Sequence, residues 1–104
     1  MKAFTAAAVQ IAPVAGALSP EVVAANVAKC VEWTRRCVAE TGAELVVLPE
    51  SATTGFTPGI PAEALWELMT ELPATGSAAG TLIEPVADLA RDLGVLVCVG
   101  TYER

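Results

Sequence analysis

Few side chains in this sequence could move a proton or attack a carbon, and the most telling of them is Glu50, which closes the run Leu45-Val46-Val47-Leu48-Pro49-Glu50. Four consecutive apolar residues cannot all face one side of a pleated strand, so the run reads as a central strand covered on both faces. Proline removes a ladder donor and stops the pairing. The carboxylate is thereby delivered to the C-terminal lip of a sheet, where open α/β folds place ligands and catalytic groups. Partial desolvation at such a lip favours the protonated form and suits a carboxylate to exchanging protons near neutral pH. The plainer alternative is a strand-end glutamate that caps a helix or pairs with an arginine.

No histidine is present. That removes the commonest general base and the commonest metal ligand together, so acid-base chemistry must use carboxylates. Glu63, Glu67 and Glu71 are spaced as one face of a helix and read as a solvated surface; without histidine or clustered aspartate, no metal and no cofactor is expected. The three cysteines are an odd number. Cys30 and Cys37 lie two turns apart on one helix, roughly 10 Å along its axis and too far for a disulfide. A reducing, cytoplasmic setting is the expectation. Cys98 sits in an apolar run and reads as a small core hydrophobe.

The elements that must position Glu50 are legible around it. Phe4 to Ile11 reads as a short buried strand ended by Pro13. Ser19, Pro20 and Glu21 form a helix start, with an N-cap, a proline in the first turn and an acidic residue where the dipole favours it. Val23, Val27, Cys30, Thr34 and Cys37 make one buried stripe, and Gly42 is the natural stop. Glu32 and Arg36 are placed to pair across one turn. Ser51 to Gly59 reads as a loop leaving the sheet edge, Pro61 to Leu72 as a second helix, and Thr81 with Glu84 as a capping box before a third helix ending at Gly94. Val95 to Val99 is another buried strand. Trp33 and Trp66 are expected as packing anchors. Strand, helix, strand, loop, helix, helix, strand implies an α/β layer with largely parallel pairing.

Composition narrows the function classes. With 104 residues, 54% of them apolar and 17% charged, the chain amounts to one small domain or a portion of a larger one. It is apolar enough for its length to suggest that one face is covered by something outside these residues. A net charge of -6 with only six cations offers no basic stripe for nucleic acid. No run reaches the ~18 uninterrupted apolar residues of a membrane span, so no membrane partner is expected. Lys2 and the stretch Ala3 to Leu18 imitate a signal peptide, but Gln10 and Pro13 interrupt it, and a buried strand explains it equally well.

Taken in order, these residues resemble the N-terminal part of the nitrilase superfamily of carbon-nitrogen hydrolases. The resemblance runs through Ala7-Ala8-Val9-Gln10-Ile11-Ala12-Pro13, Asn26 in the long helix, Gly42 to Glu50, Gly55-Phe56, Leu89-Ala90-Arg91, Gly94-Val95 and Val99-Gly100. It implies an α-β-β-α sandwich, with residues 1–104 as the N-terminal portion of a single domain and helices packed on a mostly buried sheet. It further implies a Glu-Lys-Cys triad in which Glu50 is the general base. The cysteine thiolate attacks an amide, carbamoyl or nitrile carbon, and water then hydrolyses the thioester. The family's lysine steadies the developing charge, as an oxyanion hole does. Phe56 occupies an aromatic position that in the family lies close to the substrate pocket. The family's lysine and cysteine come later than Arg104, so the resemblance implies a chain inactive by itself and homo-oligomeric when complete. The alternative is a non-catalytic α/β interaction module, or a split subunit that pairs with another chain across its open sheet.

Overall fold

The computed structural model describes residues 2–14, 17–57, 59–71 and 73–103. Three parallel strands, β1 (Ala6–Ala8), β2 (Leu45–Val47) and β3 (Leu96–Cys98), form a sheet in the order β1-β2-β3. Helix α1 (Pro20–Thr41) connects β1 to β2, and α2 (Ala62–Trp66) and α3 (Glu84–Leu93) lie between β2 and β3. Parallel neighbours need such helical crossovers, and the order agrees with the α/β reading. β2 is the central strand, as its apolar run predicts.

The strands are shorter than their apolar runs. Ladder bonding nevertheless extends beyond them, with Val9 N–H donating to Val47 O at 2.8 Å and Leu48 N–H to Cys98 O at 3.0 Å. Pro49 ends the ladder as expected.

The expectation that β2 is covered on both faces is corrected by the structure. Ala7, Val46 and Val97 are in register and point toward the helices, where Val46 is fully buried. Ala8, Val47 and Cys98 are also in register, but they point away and are exposed. Leu96, next to Cys98 but one, is 71% exposed. The physical reason is that the core gathers on one side, where Val23, Val27 and Cys30 of α1 and Val86 of α3 meet Leu48 and Ala52. Cys98, expected as a core hydrophobe, belongs to the open face. Trp33 and Trp66, expected as packing anchors, are 36% and 52% exposed.

Helix α1 begins and ends as its caps dictate. Ser19 Oγ accepts from Val22 N–H at 3.2 Å, and Gly42 takes the left-handed conformation at φ 68° while its N–H donates to Val38 O. The buried stripe holds Val23, Val27, Cys30 and Thr34, and it also takes in Asn26. Arg36 pairs with Glu40 at 3.9 Å instead of Glu32, and its guanidinium lies 4.5 Å from the Trp33 ring centroid. The planar cation is thereby drawn to the ring face.

Two helix expectations are corrected. The second helix stops at Trp66, because the chain then extends to place Thr70 beside Glu103 in a parallel bridge. Thr70 N–H donates to Tyr102 O at 2.8 Å; a backbone bond to a neighbouring segment replaces the helical one. The capping box at α3 is not formed, since the N-cap is Ile83. Glu84 Oε2 instead accepts from Gly80 N–H at 3.0 Å, and the Thr81 hydroxyl donates to Ala78 O at 2.7 Å.

Candidate active site at the C-terminal edge of the sheet

With Pro49 ending the ladder, Glu50 opens a tight turn just beyond β2. Ser51 carries the turn at φ 56°, a left-handed backbone that non-glycine residues adopt at a cost of roughly 1 kcal/mol or more. The carbonyl of Ser51 accepts from Thr54 N–H at 3.2 Å and Gly55 N–H at 2.7 Å, closing the loop on itself. Gly55, at φ 71°, is backed by Pro13, and a Cβ there would stand 3.3 Å from the proline Cγ. Both the backbone angle and the close approach require glycine at this position.

The exit of β3 forms the other wall. Gly100 runs alongside the turn, so that a Cβ on it would lie 3.7 Å from Ser51 N and 3.9 Å from Glu50 Cα. The Thr53 hydroxyl donates to Thr101 Oγ1 at 3.1 Å, and the Thr57 and Tyr102 hydroxyls are 3.0 Å apart. Between the walls is a small cavity of about 150 Å³, lined by Glu50, Ser51, Thr54, Gly100, Thr101 and Tyr102. A carboxylate, four hydroxyl-bearing side chains and a strand end converge there.

Larger hollows lie elsewhere. One of about 590 Å³ includes Glu67, Thr70, Glu71 and Thr81, and one of about 550 Å³ includes Phe4, Glu44, Arg91 and Leu96 at the opposite, N-terminal edge of the sheet. Neither contains Glu50. Volume alone does not locate chemistry in this fold; the strand ends do.

The placement of Glu50 at the lip follows the sequence reading, but its surroundings do not. Glu50 is exposed, where partial desolvation is expected from the apolar run. Among the described residues the helices cover the Val46 face of β2, while Val47 on the other face stays exposed. Phe56 is 81% exposed and stands outside the lining of the Glu50 cavity.

Among the described residues, neither a lysine nor a cysteine lines the cavity. Lys29 Nζ donates to Ala12 O at 2.6 Å, which ties the segment after β1 to α1. Cys30 is fully buried with its thiol 3.9 Å from Ala52 O, and burial pushes that thiol up from its ordinary range despite an opposing backbone hydrogen bond. A thiol held protonated is a poor nucleophile.

Asn26 is the residue that the helix stripe underrates. Its side chain bonds Val14 and Thr53, on either side of α1. A polar amide three residues after Val23 and four before Cys30 falls on the apolar stripe, and that placement was the available signal.

Comparison with known families adds one match. A family model described as carbon-nitrogen hydrolase matches residues 5–104. No curated protein and no solved structure matches the chain.

Proposed function

The chain belongs to the carbon-nitrogen hydrolase family, and from that premise we propose that it carries the general base of a thiol-dependent amidohydrolase acting on a non-peptide C-N bond. The observation that carries this reading is Glu50, set at the C-terminal lip of the central strand beside a small cavity walled by the exit of β3. In this reading Glu50 takes the thiol proton, gives a proton to the leaving nitrogen, and then activates the water that releases the acyl group. The nucleophilic cysteine and the lysine that steadies the tetrahedral oxyanion are supplied from outside these 104 residues, in keeping with a cavity lined by neither. In this reading the part of the protein that supplies them also covers Glu50, which the described residues leave exposed. Residues 1–104 are then the N-terminal portion of one α-β-β-α sandwich domain, inactive alone, in a cytoplasmic homo-oligomer.

At about 150 Å³ the cavity is below the ~300 Å³ at which ordinary ligand pockets begin. It suits the reacting group of a small molecule, whether an amide, a carbamoyl group or a nitrile. The test is ammonia release by the complete polypeptide from a short-chain primary amide, an N-carbamoyl amino acid and an aliphatic nitrile. Glu50→Gln keeps the shape but cannot take a proton, so turnover should fall by ~10²- to 10⁴-fold with binding largely retained. Unchanged turnover removes the assignment.

A second reading is favoured by the open sheet face, where Val47 is 38% and Leu96 71% exposed. On that reading the chain is a non-catalytic α/β module or split subunit that pairs with another chain. Full activity in Glu50→Gln, together with loss of pairing in variants of the open face, would favour it.

A further inference from the structure

A buried polar connection from the helical layer to the Glu50 turn starts at Asn26. This residue is 1% exposed in the apolar stripe of α1, where an amide is costly unless its groups are paired. Val14 N–H donates to Asn26 Oδ1 at 2.5 Å, and Asn26 Nδ2 donates to Thr53 O at 3.2 Å. A backbone N–H can only donate and a carbonyl can only accept, so the two partners fix which way the amide points. Thr53 passes the constraint on through its hydroxyl to Thr101, which lines the cavity. At the far end of the turn, Gly55 rests on Pro13, the residue before Val14.

We propose that Asn26 is a positioning residue for Glu50. It holds the 51–55 turn between the segment after β1 and the exit of β3, and so sets where the carboxylate stands over the cavity. The proposal rests on the reading of Glu50 as general base. Because Glu50 is exposed, its direction is inherited from the backbone of the turn it opens rather than from packing around its own side chain. A misplacement of about an ångström in a reacting group costs rate steeply. Asparagine serves because one end accepts while the other donates; an ionised carboxylate lacks the donor, and leucine lacks both.

Asn26→Asp separates positioning from simple packing. At neutral pH its carboxylate still accepts from Val14 N–H but turns an unprotonated oxygen toward Thr53 O. Acid restores a proton there, and with it the donor. In the complete polypeptide, with whichever of the three probe classes the wild type turns over, kcat should fall by ~10- to 100-fold at neutral pH with KM little changed. The ratio of variant to wild-type kcat should then climb as pH is lowered, which loss of packing would not produce. Hydrogen exchange, which needs no substrate, should show the Thr54 and Gly55 amides losing protection while those of Val9 and Leu48 keep theirs. Thr53→Val severs the Thr101 link and leaves α1 intact. It should give a smaller loss of kcat and of protection at the same two amides, and it decides the matter if Asn26→Asp does not fold at neutral pH. Wild-type kcat and exchange, or protection lost evenly across the sheet with no recovery in acid, overturns the proposal. Turnover surviving in Glu50→Gln removes the general-base reading, whereas turnover lost there but intact in Asn26→Asp removes the positioning role alone.

Discussion

At the scale of single residues, burial separates three thiols that the sequence presents as equivalent. Cys30 is fully buried and its thiol pushed up by desolvation, while Cys98 is exposed on the open sheet face. The raised folded value means that stability is fully present below the ordinary thiol range of about 8.5. As pH rises above that value the unfolded thiol gives up its proton while the folded one keeps it, so stability is lost until the folded thiol also ionises. Chemical denaturation of Cys30→Ala should therefore show a flatter alkaline arm than wild type. A thiol reagent at neutral pH should label Cys98 first and Cys30 only on unfolding. Glu50 was legible because proline after an apolar run has one meaning in a sheet. Its exposure was not, because the run says that a strand is apolar and not which neighbours arrive to cover it. Asn26 entered the sequence reading only through the family resemblance; its place on the apolar stripe was the local signal, and its partners lie 12 and 27 residues away, beyond any local pattern.

Local chemistry also decides which helices the sequence announces. α1 is bounded by a serine whose hydroxyl bonds Val22 N–H and by a glycine in the left-handed conformation, so both ends follow from residues adjacent to them. The second helix had no comparable signals inside it; a tertiary bond from Thr70 N–H to Tyr102 O took the chain away after Trp66. At α3 the carboxylate of Glu84 found Gly80 N–H within reach. The helix therefore starts without the threonine cap that the spacing suggests. These differences imply different sensitivities. Ser19→Ala should cost about 1 kcal/mol of stability in a urea titration, the usual value of a lost N-cap. Thr81→Ala should cost less, because the Thr81 hydroxyl serves the Ala78 carbonyl and not the end of α3. Equal losses would show that the start of α3 is capped as its sequence suggests.

For the molecule as a whole, the consequential fact is that, among the described residues, helices lie on one side of the sheet only. The apolar fraction is 54%, and part of it is left uncovered, with Phe4, Val47 and Leu96 at 56%, 38% and 71% exposure. Contiguous apolar surface of this kind marks a face made for contact, whereas the net charge of -6 works against indiscriminate association. The sandwich implied by the family resemblance would set a second layer there, so the same face bears on both functional readings. An apolar fluorescent dye should bind the folded chain, and Leu96→Lys combined with Val47→Lys should abolish most of that binding. Both side chains are exposed and outside the helical core, so the pair should shift the unfolding midpoint little, within the ~0.5 kcal/mol per site expected of surface changes. A large loss of stability in the double variant would mean that this face is already packed within the chain, and the one-sided arrangement would have to be abandoned.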